Sequence, residues 1–409
     1  MSAPVEEAAL ARRALLWMCV LIAVNQLGFG AIVPVLPLYA RSFGVSQSSI
    51  GLAIAIYGLA RFVIAVPAGQ LADALGRRGT LAIGGAVSCV GNVWCALAGT
   101  YTEFVAARFV AGVGAGIVLT VGVVVLADIS TAARRGRTMA IYQGVFLFAV
   151  GIGPFPGGYL AATHGLAAPF AAYAVAGAVA SAVAWLAVPE TRDLPGALRG
   201  SVQGVRASLG SQLKLLFAQL GFLLVSSIAF MNAVARTGGL FNIIPVLGED
   251  QLALTATQIG FGLALGSVLG LAATYPAGTL VDRYGRKVVI VPATFLTGLS
   301  FFLFVLAPSY AWFLAASVTW GVASAVGGAA PSAYAADSAP PGMNAAAMST
   351  YRMLGDLGYV IGPITLGLVV DLYGARTALV LAAVLLMVVG ACFGLLAPET
   401  YVKPRDDPA

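Results

Sequence analysis

The 409-residue chain is 60% hydrophobic and only 9% charged, with a formal net charge of +6 and a mean hydropathy of +0.95. Soluble domains carry about a quarter charged residues, so these proportions exclude a water-soluble fold and point to a chain dissolved in lipid. The positive balance then describes loops facing anionic lipid, not a nucleic-acid surface.

Apolar runs of about 20 residues can cross a bilayer as helices. They lie near 15–39, 48–71, 80–99, 103–126, 138–162, 167–188, 217–246, 256–280, 288–307, 311–335, 343–370 and 376–397. The expected fold is therefore all-α, with 12 transmembrane helices. With the N-terminus inside, Arg41 and Arg376 are the only basic residues expected outside, and Arg61, Arg108, Arg236 and Arg352 lie within spans. The remaining basic residues fall in cytoplasmic segments, which places both termini inside by the positive-inside rule. Residues 1–13 are polar and the first apolar run is long enough to span, so no cleavable signal is expected. The Ala- and Gly-rich wording fits a bacterial inner membrane. Cys19, Cys89, Cys95 and Cys392 all sit in apolar runs and read as small buried hydrophobes. His164, the single histidine, belongs to a short outer loop.

Taken in order, the first span carries Asn25, Gly28, Gly30, Pro34 and Pro37. Proline in a membrane helix frees carbonyls and bends the helix where neighbours or a cavity satisfy them. The second span places Tyr57 and Arg61 four apart, on one face. The stretch Gly69–Leu81, GQLADALGRRGTL, ends that span. The fourth span carries Arg108, Gly112 and Gly116, a stripe of small residues that lets another backbone come close. Gln143 and Phe146 lie on the fifth span, which runs into GIGPFPGG, Gly151–Gly158; its glycines and prolines forbid a straight, regular helix. Residues 190–215 form the only sizeable polar connection and read as an interfacial linker. The seventh span has Asn232, Arg236 and Asn242, the tenth Trp320, and the eleventh Arg352 and Asp356. The domains are thus 1–189, a linker 190–215, 216–398, and a charged tail 399–409.

The two halves repeat one another. At an offset of 209, Pro67 falls on Pro276, Gly69 on Gly278, Asp73 on Asp282, Gly76 on Gly285 and Arg77 on Arg286. The same offset carries Gly112 onto Gly321, Asp128 onto Asp337, and Gly153–Pro154 onto Gly362–Pro363. In the first helix of each half the better offset is 211, which matches Asn25 with Arg236 and Pro34 with Pro245. The loop chemistry follows from residue type. Gly69 permits a close helix approach, Asp73 can accept from backbone N–H groups, and Gly76 supplies a positive φ for the reversal. Arg77 can then reach Asp128, and Asp282, Arg286 and Asp337 would repeat the arrangement. The alternatives are unpaired topogenic charges or a partly solvated latch that holds one state of a rocking protein and costs little to break.

Here the wording resembles the major facilitator superfamily. Gly69-x-Leu71-x-Asp73-x-x-Gly76-Arg77-Arg78 is similar to its cytoplasmic loop signature, with Ala74 standing where a basic residue is usual. Arg108-x-x-x-Gly112-x-Gly114-x-Gly116 resembles its fourth-helix motif. Gly153-Pro154-x-x-Gly157-Gly158 resembles the fifth-helix motif of drug–proton antiporters. The PET triplets Pro189–Thr191 and Pro398–Thr400 fit the same family, and Gly355–Pro363 is similar to the eleventh helix of vesicular amine and bacterial multidrug exporters. The resemblance implies two six-helix bundles related by pseudo-twofold symmetry around a central cavity that opens alternately to each side. It also implies that helices 1, 4, 7 and 10 line that cavity. Asn25, Tyr57, Arg108, Gln143, Phe146, Asn232, Arg236 and Trp320 are the candidate lining residues.

Asp356 is the one acidic residue deep in a span. A charge there costs about 2.5–3.5 kcal/mol on insertion scales, so it should be functional and partnered. Arg352 lies one turn away, and Arg61 would face it if the family arrangement holds. With a cation near it stays ionised; without one, desolvation raises its pKa and it takes up a proton. Exchange of the cation for substrate or water would then couple motion to protons. The alternative is a permanent Arg352–Asp356 pair that pins two helices. For the surplus arginines, an anion site at Arg236 competes with bonding to helix carbonyls or snorkelling.

The expected function is a proton-coupled exporter of small lipophilic or amphipathic compounds. The rivals are a carrier of an organic anion or metabolite, and a lipid translocator without proton coupling. No Gly-rich phosphate cradle is present, and no span carries a Ser–His, paired-Asp or metal-ligand set. An enzyme, a cofactor, a metal and a nucleic-acid partner are therefore not expected. The expected partners are a small-molecule substrate, protons and the bilayer, bound by a monomer.

Overall fold

The computed structural model describes residues 3–130, 135–192, 209–340 and 343–400. Most of the 190–215 linker and the tail beyond Thr400 lie outside the described residues, as do the side-chain surroundings of Gly278 and Asp282. The first half comprises α1 (Ala3–Ile32), α2 (Leu36–Arg41), α3 (Gln47–Leu75), α4 (Arg77–Leu97), α5 (Tyr101–Asp128), α6 (Arg135–Ile152), α7 (Pro154–His164) and α8 (Ala168–Ala187). The second has α9 (Leu209–Phe217), α10 (Leu220–Val234), a π-helix (Ala235–Ile243), α11 (Ile244–Leu252), α12 (Ala256–Tyr284), α13 (Lys287–Val305), α14 (Tyr310–Asp337), α15 (Asn344–Tyr373) and α16 (Ala375–Leu396). Among the described residues 12 stretches are long and apolar enough to cross a membrane, one for each expected run.

The breaks fall where proline and glycine demand them. α1 stops at Ile32, a turn carries Val33–Val35, and α2 restarts with Pro37 in its first turn. The fifth span is interrupted at Gly153, so that Pro154 opens α7 where a missing N–H costs nothing. The second half solves the same problem differently. Ahead of Pro245 the chain widens into a nine-residue π-helix before α11 begins. Proline removes a donor and its ring crowds the carbonyl four residues back, and a wider turn relieves both. Gly76 and Gly285 have φ of +86° and +100°, the left-handed backbone expected for the loop reversals.

The structure divides into two compact units. One holds residues up to Gln203 together with Leu254–Ala264, and the other holds Gly204–Ala253 and Leu265–Ala409. The start of α12 thus packs with the first unit, where its Gly260 meets the backbone of Pro154, and Gly158 meets that of Ala256. Glycine is required there because any Cβ would strike a carbonyl. In the first unit, α4 and α5 approach through Gly91 against Ala111 and Gly114 against Ser88. The core of this unit includes Met18, Leu21, Ile22, Val118, Val121 and Tyr142. The second unit has its own core around Phe222, Ile290, Tyr334 and Phe393.

Candidate functional site

Arg77 opens α4 directly after the Gly76 reversal and becomes the hub of a buried ionic cluster. Its Nε donates to Asp128 Oδ2 at 2.9 Å, and its Nη1 donates to Asp73 Oδ1 at 2.7 Å and to the Ala72 carbonyl at 3.0 Å. Asp128, the last residue of α5, also accepts from the Thr191 hydroxyl at 3.0 Å. Glu190, just past α8, accepts from the backbone N–H groups of Arg77 at 2.9 Å and Arg78 at 3.2 Å. A carboxylate is favoured at this place because the first turn of a helix carries unpaired N–H groups and a partial positive charge. Burial alone would raise the Glu190 pKa. The N–H groups of Arg77, Arg192, Arg78 and Thr191 outweigh it and hold the carboxyl below its ordinary value. All of these bonds lie within the first unit.

The second unit repeats three parts of the arrangement: the Arg–Asp pair, the Glu on backbone N–H groups, and the Thr on the Asp. Arg286 Nε donates to Asp337 Oδ2 at 3.2 Å. Glu399 accepts from the N–H of Arg286 at 3.3 Å and of Lys287 at 3.1 Å, and Thr400 Oγ1 reaches Asp337 at 3.4 Å. The copy is looser. Its ion-paired side chains are 18% and 36% exposed, against 7% and 6% for Arg77 and Asp128. The Arg–Asp pairing expected for both halves is therefore present, whereas Asp282 lies outside the described side chains. Reading the sequence gave Glu190 and Thr191 no role beyond the resemblance. Their own repetition at the 209 offset, as Glu399 and Thr400, was the signal that ties them to the loop.

A second polar cluster is buried in the first unit. Arg108 is 1% exposed, lies 4.2 Å from the Tyr57 ring centroid and donates from Nε to the Ala53 carbonyl at 3.3 Å. The Tyr57 and Tyr173 hydroxyls are 3.2 Å apart, and Tyr173 donates to Asn25 Oδ1 at 3.4 Å. Arg108 Nη1 and Asn25 Nδ2 have no described partner. Asn25, Tyr57 and Arg108, expected along a cavity, are thus packed into one interior network in this structure. Close approach makes the network possible: a Cβ on Gly112 would lie 2.7 Å from the Tyr57 carbonyl. Arg61 is half-buried, with its guanidinium 6.0 Å from the same Tyr57 ring. Gln143 is exposed, and Phe146 packs against the core of the first unit.

In the second unit, α15 carries Arg352 and Asp356. Asp356 is the thirteenth residue of the helix, about 18 Å from its start at 1.5 Å per residue. Both side chains are exposed, and among the described residues no ion pair joins them. Gly358 and Gly362 occupy the other side of the helix, where a Cβ would lie 2.5 Å from the Phe230 carbonyl or 2.6 Å from Val234 Cα. Thr237 Oγ1 and Asn242 Nδ2 add bonds to the α15 carbonyls of Tyr359 and Pro363 at 3.3 and 3.0 Å. α15 is therefore held against α10 and the π-helix by one face while its charged face stays uncovered within the unit. Arg236, in the first turn of the π-helix, is exposed and lies 5.4 Å from the Phe241 ring centroid. Asn232 is half-buried and Trp320 buried. No group of three His, Cys, Asp or Glu side chains among the described residues is placed to hold a metal.

The chain is 24% identical over 367 residues to an uncharacterized MFS-type transporter of Methanocaldococcus jannaschii, covering 90% of this chain and 93% of that one. It is 29% identical over 135 residues to the quinolone resistance protein NorA of Staphylococcus aureus, a match that spans 33% of this chain and 35% of NorA. In architecture it is similar to a bacterial homologue of the human lysosomal transporter Spinster, with a TM-score of 0.77 at 16% identity over 97% of this chain and 98% of that one. The sequence pattern of the Major Facilitator Superfamily covers residues 18–251 and again 225–409, so the chain belongs to that superfamily of membrane transporters and is not an enzyme.

Proposed function

We propose that this secondary transporter exports small lipophilic or amphipathic compounds in exchange for protons by alternating access. It would work as a monomer in a bacterial inner membrane, with both termini in the cytoplasm. The observation that carries the reading is Asp356, a carboxylate midway along a membrane helix that is uncovered within its unit and makes no ion pair with Arg352. A permanent Arg352–Asp356 pin is thereby disfavoured. A lone carboxylate at this depth in a membrane helix is functional by default, and exchange of a proton is the role that fits a gradient-driven exporter. The Gly153–Pro154 break and the partial likeness to NorA support the drug-export branch.

The test is transport of a fluorescent lipophilic dye and of a quinolone by proteoliposomes under an imposed pH gradient. Asp356→Asn is expected to abolish gradient-driven accumulation while leaving downhill exchange. Unchanged accumulation in the variant removes Asp356 from coupling. Arg236, exposed beside an aromatic ring, favours the organic-anion reading instead. Competition by organic anions but not by cations, lost in Arg236→Gln, would select it. Lipid movement without any proton gradient would select the translocator reading.

A further inference from the structure

We infer that the first unit carries a binding site for the phosphate of an anionic phospholipid, formed by Arg78 and Trp185 where α4 and α8 meet at the Gly76 loop. The register of the two helices sets the pair. Ser181 Oγ donates to the Ala82 carbonyl at 2.8 Å, and Gly85 and Gly177 bring the two backbones into contact. One turn further toward the loop, the Arg78 guanidinium lies 5.1 Å from the Trp185 ring centroid.

The guanidinium is otherwise unspent. The Arg78 backbone N–H is taken by Glu190, but among the described residues the side chain donates no hydrogen bond, and its Nε is shielded from solvent without a partner. The neighbouring carboxylates are engaged elsewhere: Glu190 by backbone N–H groups, and Asp73 and Asp128 by Arg77. A planar fork of N–H donors with no acceptor matches a phosphate diester better than any other membrane component. The ring holds one face of the cation by its quadrupole and leaves the edge open. Trp185 is 56% exposed and Leu186 76%, an indole and an aliphatic chain beside a cation at the end of a span. That is the pairing that suits headgroup on one side and acyl chain on the other.

The internal repeat supplies a contrast. At the 209 offset Arg78 becomes Lys287, whose Nζ donates to the Ala397 carbonyl at 2.8 Å. Trp185 becomes Gly394, packed on Val291. The second unit therefore keeps the ionic cluster but has neither the free guanidinium nor the indole. The pair is not part of the shared loop architecture; it is an addition to one copy.

The experiment uses the purified full-length protein in detergent, titrated with phosphatidylglycerol, phosphatidylcholine or inorganic phosphate. Bound lipid is read by native mass spectrometry. Quenching by brominated lipid is taken as the difference between the parent and Trp185→Phe. The expected result is one phosphatidylglycerol retained in preference to phosphatidylcholine, with quenching that reports Trp185. Arg78→Gln should weaken retention about tenfold, Arg78→Lys less, and Lys287→Gln not at all. Equal retention of the two lipids, or Arg78→Gln binding like the parent, overturns the inference. Inorganic phosphate displacing the lipid completely at equal concentration would overturn it too, by making this a site for a soluble anion. If Arg78→Gln fails to fold, the Trp185 quenching difference decides the matter: stronger quenching by brominated phosphatidylglycerol than by brominated phosphatidylcholine supports the site, and equal quenching by the two overturns it.

Discussion

Arg77 and Asp128 form a pair whose side chains are 7% and 6% exposed, and removing one partner strands the other away from water. Breaking a buried pair in this way costs about 3–5 kcal/mol, whereas an exposed pair contributes about 0–1 kcal/mol. Asp128→Asn should therefore destabilise the protein by several times more than Asp337→Asn, whose pair is 18% and 36% exposed. Thermal unfolding of both variants in detergent checks the order; equal losses would show that the two copies are energetically alike. Glu190 makes a separate prediction about pH. Its carboxyl is held below the ordinary value, so its contribution is fully present above the unfolded-state pKa and is lost as the pH falls through the lower folded-state one. Glu190→Gln should flatten the acid side of the stability profile and leave its neutral side with a smaller maximum. A parent and variant with parallel acid limbs would remove Glu190 from that role. The Arg77–Asp128 partnership was legible in the sequence because the spacing recurs. Glu190 was legible only as a repeat, through Glu399 at the same offset; its bonds to the backbone N–H groups of Arg78 and Arg77, 112 and 113 residues away, were not, because backbone groups leave no mark in a sequence.

The 12 spans follow from composition and length alone, since a membrane helix must satisfy its own backbone. How each helix is broken does not follow so simply. Pro34 and Pro245 look equivalent, yet one is met by a turn and a fresh helix and the other by a nine-residue π-helix. What differs is the neighbour. In the second unit Thr237 and Asn242 bond the carbonyls of α15, and Gly238 packs on Gly362, so the widened segment is held by partners 122 and 121 residues away. A paired substitution tests this. A Cβ at Gly362 would lie 2.6 Å from Val234 Cα, while one at Gly355 meets nothing within 4 Å. Gly362→Ala should push α15 off α10, by the overpacking cost of about 1–3 kcal/mol. Gly355→Ala should be neutral or stabilise by up to about 1 kcal/mol through helix propensity. If both variants unfold at the parent temperature and Gly362→Ala transports normally, the α10–α15 contact is not what positions Asp356.

At the scale of the whole chain, the loops that carry the two ionic clusters recur six candidate spans apart, and the proposed arrangement of 12 crossings predicts that both loops face the same side of the membrane. One measurement of sidedness therefore places both. The basic residues make the choice: Arg77, Arg78, Arg286 and Lys287 sit at that surface, and only Arg41 and Arg376 are expected at the other. The retained positive charges favour the cytoplasm by the positive-inside bias. In a background with Cys19, Cys89, Cys95 and Cys392 replaced, a single cysteine at His164 should react with a membrane-impermeant maleimide in intact cells. His164 is the last residue of α7 and of its candidate span, and it is exposed. A cysteine at Ser201, in the linker, should react only after permeabilisation. The opposite pattern would invert the molecule. It would put the Arg78–Trp185 pair in the outer leaflet, turn the proposed exporter's gates around, and leave the charge bias of the loops without a cause.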